Sequence, residues 1–178
     1  MEKSELEEEW YGLKFDVRRA VRYHQRRRAF FDVLDRGGNL LSLVFGSAAI
    51  YGILQDNFRP LAITSAAIVT IWSSVNLVVG SAQKARLHYD LARRFIQLER
   101  NLLCEPNEEQ YHKVYDERLS IEAEEPPTLK VLDAICYNDT VKAQGLPKER
   151  MVENITGWQR FCAHFFDWDF DKLIPPKS

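Results

Sequence analysis

Charge is missing from two stretches of the 178-residue chain. No Asp, Glu, Lys or Arg stands between Gly37 and Gln55, and none between Pro60 and Gln83. Cysteine is scarce. Cys104, Cys136 and Cys162 show neither metal-ligand spacing nor an even count, so a reducing cytosol is the simplest setting. The acidic start Met1 to Glu9 has no apolar run behind it and predicts no signal peptide. Glycine-rich phosphate loops, Gly-x-Ser-x-Gly elbows and acid–base pairs within the charge-free runs are all lacking. No catalytic, cofactor or metal site is expected, and an enzyme is the least supported function. A net charge of −2 gives no case for nucleic-acid binding. The glycosylation sequons Asn138-Asp139-Thr140 and Asn154-Ile155-Thr156 carry no meaning in a cytosolic segment.

What is present follows from those gaps. Each charge-free run meets the requirement of about 20 residues for a helix that spans a bilayer core. Only Gln55-Asp56-Asn57-Phe58-Arg59 separates them, so the two spans are expected to be antiparallel neighbours. Pro60 suits the first turn of the second helix. The large apolar residues of the first run contribute roughly −3 to −4 kcal/mol on the insertion scale, partly offset by Asn39, Ser42 and glycines. The competing reading, a soluble protein with a buried hairpin, is weakened by run length, since buried core helices are usually shorter. Arg26, Arg27, Arg28 and Arg36 precede the first span and Lys84 and Arg86 follow the second, with only Arg59 between. The positive-inside rule places both termini in the cytoplasm of an inner-membrane protein.

Helical periodicity continues past the spans. Trp10, Leu13, Val17, Val21 and His24 recur on one face, as do Leu87, Leu91, Phe95, Leu98 and Leu102. The expected fold is all-α: an antiparallel two-span hairpin, with long helices near 7–54 and 60–104 whose cytoplasmic halves pack as a stalk. A helix over 108–122 follows, then one over about 129–143 capped by Thr128, then one from about Lys148 towards Phe170. The resulting organisation is an N-terminal amphipathic helix (1–36), span one (37–55), span two (60–83), stalk and short helices (84–145), and an aromatic helix with its tail (146–178). In a straight hairpin residue 24 comes level with residue 91 and residue 88 with residue 27, so His24 and His88 fall within about a turn of each other. They are expected to bond to Tyr23, Tyr89 or Asp90 in the stalk, with too few ligands for a metal. The arginines from Arg18 to Arg28, Arg22 and Arg26 among them, have three readings: topology and headgroup contact, ion pairs with Asp90 and Glu99, or a phosphorylated signal. The first two are favoured. Trp158, Phe161, Phe165, Trp168 and Phe170 lie among Asp167, Asp169 and Asp171, and that acidity favours docking on the stalk or a neighbouring subunit over an anionic leaflet.

One face of the second span collects Ala62, Ser65, Ala66, Val69, Ser73, Asn76 and Gly80, and the first span aligns Asn39, Ser42, Gly46 and Ala49. These small and polar faces serve either to pack helices or to line water. Both uses remain open.

A set of segments in fixed order carries a resemblance. Ala20-Val21-Arg22-Tyr23-His24-Gln25-Arg26-Arg27-Arg28 runs into Phe30-Phe31, and Gly46-Ser47-Ala48-Ala49 lies within the first span. Val75-Asn76-Leu77-Val78-Val79-Gly80 precedes Ala85-Arg86-Leu87-His88-Tyr89-Asp90-Leu91. Ile121-Glu122-Ala123-Glu124-Glu125-Pro126-Pro127 and Leu132-Asp133-Ala134-Ile135-Cys136-Tyr137-Asn138 complete it. Over about residues 15–145 the chain resembles the SLATT family, two-transmembrane effectors associated with bacterial nucleotide-signalling defence systems. The resemblance implies an oligomeric pore or membrane-disrupting effector that arrests an infected cell, with a lipid bilayer, further copies of itself and a nucleotide-signal sensor or synthase as partners. A non-conducting scaffold that tethers a cytosolic partner is the alternative.

Overall fold

The computed structural model describes residues 3–54 and 58–175. The connecting residues Gln55, Asp56 and Asn57 lie outside the described set. Every regular element among the described residues is helical: α1 (Lys3–Leu54), α2 (Arg59–Val79), α3 (Ser81–Asn101), α4 (Glu108–Glu122), α5 (Lys130–Ala143) and α6 (Gly157–Cys162). Two 3-10 turns and one isolated bridge between Glu153 and Ile174 complete the backbone. The chain divides into a packed unit, residues 1–27 and 88–178, and an apolar unit, residues 28–87.

The packed unit is built on the two periodic stripes. Trp10, Leu13, Val17 and Val21 of α1 bury against Leu91, Phe95, Leu98 and Leu102 of α3, and α4 closes the cluster with Val114 and Ile121. Each large side chain so buried contributes roughly 1.5–3 kcal/mol. Leu87, expected in the stripe, is exposed. A second cluster gathers Tyr23, Val131, Leu132, Ile135, Cys136 and Ala163. Burial there pushes the Cys136 thiol up to about 12, so it behaves as a small apolar side chain.

Three boundaries differ from expectation. The helix expected over 60–104 runs from Arg59 to Asn101 with one interruption, at Gly80, whose φ of 63° is left-handed and divides α2 from α3. Thr128 does not cap α5. Its N-cap is Leu129, and the orphan amides of Lys130 and Val131 donate instead to the carboxylate of Asp167 at 3.0 and 2.9 Å. The long helix expected from Lys148 to Phe170 is absent. Asn154 (φ 63°) and Asp169 (φ 49°) are left-handed, and Thr156 with Gln159 forms a capping box that starts the six-residue α6 afresh.

In the apolar unit the bulky residues face outward. Leu40, Leu43, Ile50 and Ile53 of α1 and Ile63, Ile71, Leu77 and Val78 of α2 are exposed, whereas Ala62 and Ser65 are buried. The backbones meet where side chains are smallest. A Cβ added to Gly52 would stand 2.8 Å from the Ala62 nitrogen and from the Phe58 carbonyl oxygen. At Gly38 the obstacle is the indole of Trp72. Glycine at both positions lets the helices approach closely.

Candidate functional site

Residues from α1, α2 and the start of α3 surround a crevice of about 290 Å³ in the apolar unit. Asn39 and Ser42 line it from α1, Ser73 and Asn76 from α2, and Asp35 and Gln83 stand in its wall. Four of the residues read as a packing or pore face therefore come together. Gly46, Ala66 and Gly80 are not in the lining. Gly46 and Gly80 are half-buried, Ala66 is exposed, and an added Cβ at Gly46 would touch nothing within 4 Å. Gly80 serves instead as the left-handed residue closing α2, its N–H donating to the Asn76 carbonyl at 2.9 Å. Trp72 also lines the crevice, and its buried Nε1 has no hydrogen-bond partner among the described residues. Trp72 was missed because it was counted with the large apolar residues of a charge-free run. Its signal was an indole donor at a depth where donors are otherwise hydroxyls and amides.

The packed unit holds a buried polar chain. His24 and His88 approach through their Nδ1 atoms at 2.9 Å, and His24 Nε2 lies 3.0 Å from Glu125 Oε1. Both imidazoles are buried. Phe95 stacks on His24 at 5.6 Å between ring centres, and Tyr23 meets it edge-on at 5.3 Å. With Glu125 ionised, His24 Nε2–H donates to it. A neutral His24 then accepts at Nδ1 from His88, while a protonated His24 donates there. One proton thus lies between the two Nδ1 atoms in either form, and the chain can pass a proton between His88 and Glu125. The sequence placed the histidines together, and Tyr23, one of the expected neighbours, packs against both rings. Glu125 had been read only as part of a break before two prolines. Asp90 is exposed and outside the chain of bonds.

Beside Glu125 opens a cavity of about 1010 Å³, lined by Asp16, Tyr23, His24, Lys130 and Asp133 among others. Burial holds the Asp133 carboxyl above its usual range, with Arg19 opposing. The arginine cluster is largely committed to carboxylates of this chain. Arg18 pairs with Glu99 at 2.7 Å, Arg19 with Asp133 at 3.4 Å, Arg26 with Asp139 at 2.5 Å, and Arg118 bridges Asp16 and Glu122 at 3.0 and 2.6 Å. Arg22, expected as a stalk contact, has a buried Nε with no partner among the described residues. Arg27 donates to the His164 carbonyl at 2.6 Å. Among the other residues read as setting topology, Arg28 lies 3.4 Å from Asp32, Lys84 sits 5.6 Å over the Phe31 ring, and Arg36 and Arg86 are exposed.

No family model, curated protein or solved structure matches the chain. Fold and burial define an all-helical protein with two helices long and apolar enough to cross a membrane. Only 11% of either apolar window is buried, unlike the mostly buried core helix of a soluble protein.

Proposed function

We propose that the chain is an inner-membrane protein whose residues 37–55 and 60–83 form an antiparallel two-span hairpin with both termini in the cytoplasm, and that several copies assemble into a pore or membrane-disrupting effector. The resemblance to SLATT proteins supplies the setting, an antiphage system in which a nucleotide-signal sensor or synthase triggers the effector. The observation that carries the reading is the crevice: Asn39, Ser42, Ser73 and Asn76 face one space on helices whose other faces present bulky aliphatics. Lipid solvates the aliphatics, and the polar groups need water or another copy. A single hairpin encloses no channel, so conduction requires an oligomer.

The test is dye or ion release from liposomes carrying the purified full chain, with the mass of the detergent particle measured in parallel. Asn76→Leu narrows and dewets a conduit, so leak falls while the oligomer keeps its mass. Where Asn76 only packs helices, the substitution loosens assembly by roughly 0.6–2 kcal/mol and the particle shrinks. Absence of leak from the unaltered protein favours the non-conducting scaffold.

A further inference from the structure

The segment after α5 turns its large aromatic rings away from the protein. In α6 and the turn that follows, Gln159, Cys162 and Ala163 are buried, while Trp158 and Phe161 are 58% and 67% exposed. Phe165, Phe166 and Trp168 are also exposed. This inverts the usual amphipathic order, with a glutamine inside and a tryptophan outside. The inversion is built in. Gln159 is held by the Thr156 capping box and donates to the carbonyls of Trp168 and Asp169 at 3.2 and 3.1 Å, so the turn cannot roll its rings inward without losing those bonds.

Two of the three carboxylates that argued against a lipid surface are engaged, and the third, Asp171, lines the large cavity. Asp167 is turned onto the N-terminus of α5, and Asp169 pairs with Lys172 at 2.7 Å. Arg160 stands exposed between Trp158 and Phe161. The segment is also tied to α1. Arg27 holds the His164 carbonyl, and Arg27 is the last residue of the packed unit before α1 enters the apolar one. Gly37, where charge stops, comes ten residues later in the sequence.

Resting on the membrane reading above, we infer that residues 156–169 form an interfacial anchor whose exposed rings lie in the headgroup layer of the cytoplasmic leaflet. Tryptophan and phenylalanine beside arginine suit that layer, since the rings are apolar and the cation meets phosphate. A second copy is a poorer occupant. With about half of each ring's 150–250 Å² open, the five rings offer on the order of 500 Å², against roughly 800 Å² per partner in a standard interface.

The chain's four tryptophans make the test self-controlled. Four single-Trp variants, the other three positions changed to Phe, are reconstituted as full-length protein into phosphatidylcholine–phosphatidylglycerol vesicles. The acyl chains carry bromine either near the headgroup or near the bilayer centre. Trp10, 2% exposed in the packed core, sets the unquenched baseline, and Trp72 reports on the spans themselves. Trp158 and Trp168 are each expected to lose about half their fluorescence to the shallow bromines and little to the deep ones, as rings in the interfacial belt would. Quenching of Trp72 without quenching of Trp158 and Trp168 overturns the anchor and leaves the membrane reading standing. An unquenched Trp72 overturns both.

Discussion

The two units use apolar side chains in opposite ways. In the packed unit Leu98 and Leu102 are fully buried, and stability comes from removing such side chains from water. In the apolar unit Leu77 and Val78 are 84% and 87% exposed, and the closest approaches are made by glycines against Ala62 and Trp72. A common pattern of helical leucines and valines therefore means different things in the two places. One is a core cut for water as the solvent. The other leaves its aliphatic side chains open, as the membrane reading proposed above requires, and its helices meet at glycine and small residues instead.

The largest expected effect breaks the packed side of the comparison. Leu98→Ala empties a sealed site and costs about 2–5 kcal/mol, whereas Leu77→Ala stays within about 0.5 kcal/mol. Thermal unfolding of the detergent-purified protein by circular dichroism checks both, and equal losses would erase the distinction. Next comes the apolar side. Gly52→Val forces a side chain against the Ala62 backbone and costs about 1–3 kcal/mol, read as a lower SDS fraction at the unfolding midpoint. Gly46→Ala meets nothing within 4 Å and leaves that midpoint in place. A drop in particle mass on Gly46→Ala would instead put Gly46 between subunits.

The smallest effect is a pH dependence confined to the packed unit. Burial, with Arg27 and Arg26 alongside, holds the His164 imidazole down at about 4, below its ordinary 6.5. Between those values the unfolded chain binds the proton and the folded chain does not, so stability rises with pH across the window. Acidification from pH 7 to pH 5 should lower the melting temperature, and His164→Gln should shrink that drop. An unchanged pH slope in the variant would place the titration elsewhere.

The sequence disclosed what repeats and hid what is reached from afar. Trp10, Leu13, Val17, Val21, Leu91, Phe95, Leu98 and Leu102 recur at helical spacing and are buried, while Leu87 at the same spacing is exposed. The meeting of His24 with His88 followed from counting along a straight hairpin. Glu125 lies 101 residues from His24, and Asp167 lies 36 from the amide of Val131. No local pattern marks such partners. Thr128 looked like a cap by residue type alone, yet a distant carboxylate took the role. The missed break before α6 was a different failure, because Thr156 and Gln159 stand at capping-box spacing and were legible as a helix start. In the crevice, residue polarity pointed to Asn39, Ser42, Ser73 and Asn76, while Gly38 and Trp72 emerged only from the pairing of the two helices.

The packed unit is discontinuous in the chain, and that bears on the order in which it is made. Residues 1–27 leave the ribosome with Trp10, Leu13, Val17 and Val21 unmatched, and their partners on α3 follow only after the 60 residues of the apolar unit. At 5–20 residues per second the wait is about 3–12 s, far longer than a helix needs to form. Closing so long a loop is opposed by chain entropy. Folding the apolar residues first brings Arg27 and His88 to the ends of a structured segment and shortens the effective loop. The N-terminal stripe is therefore the apolar surface that waits longest for its partner during synthesis.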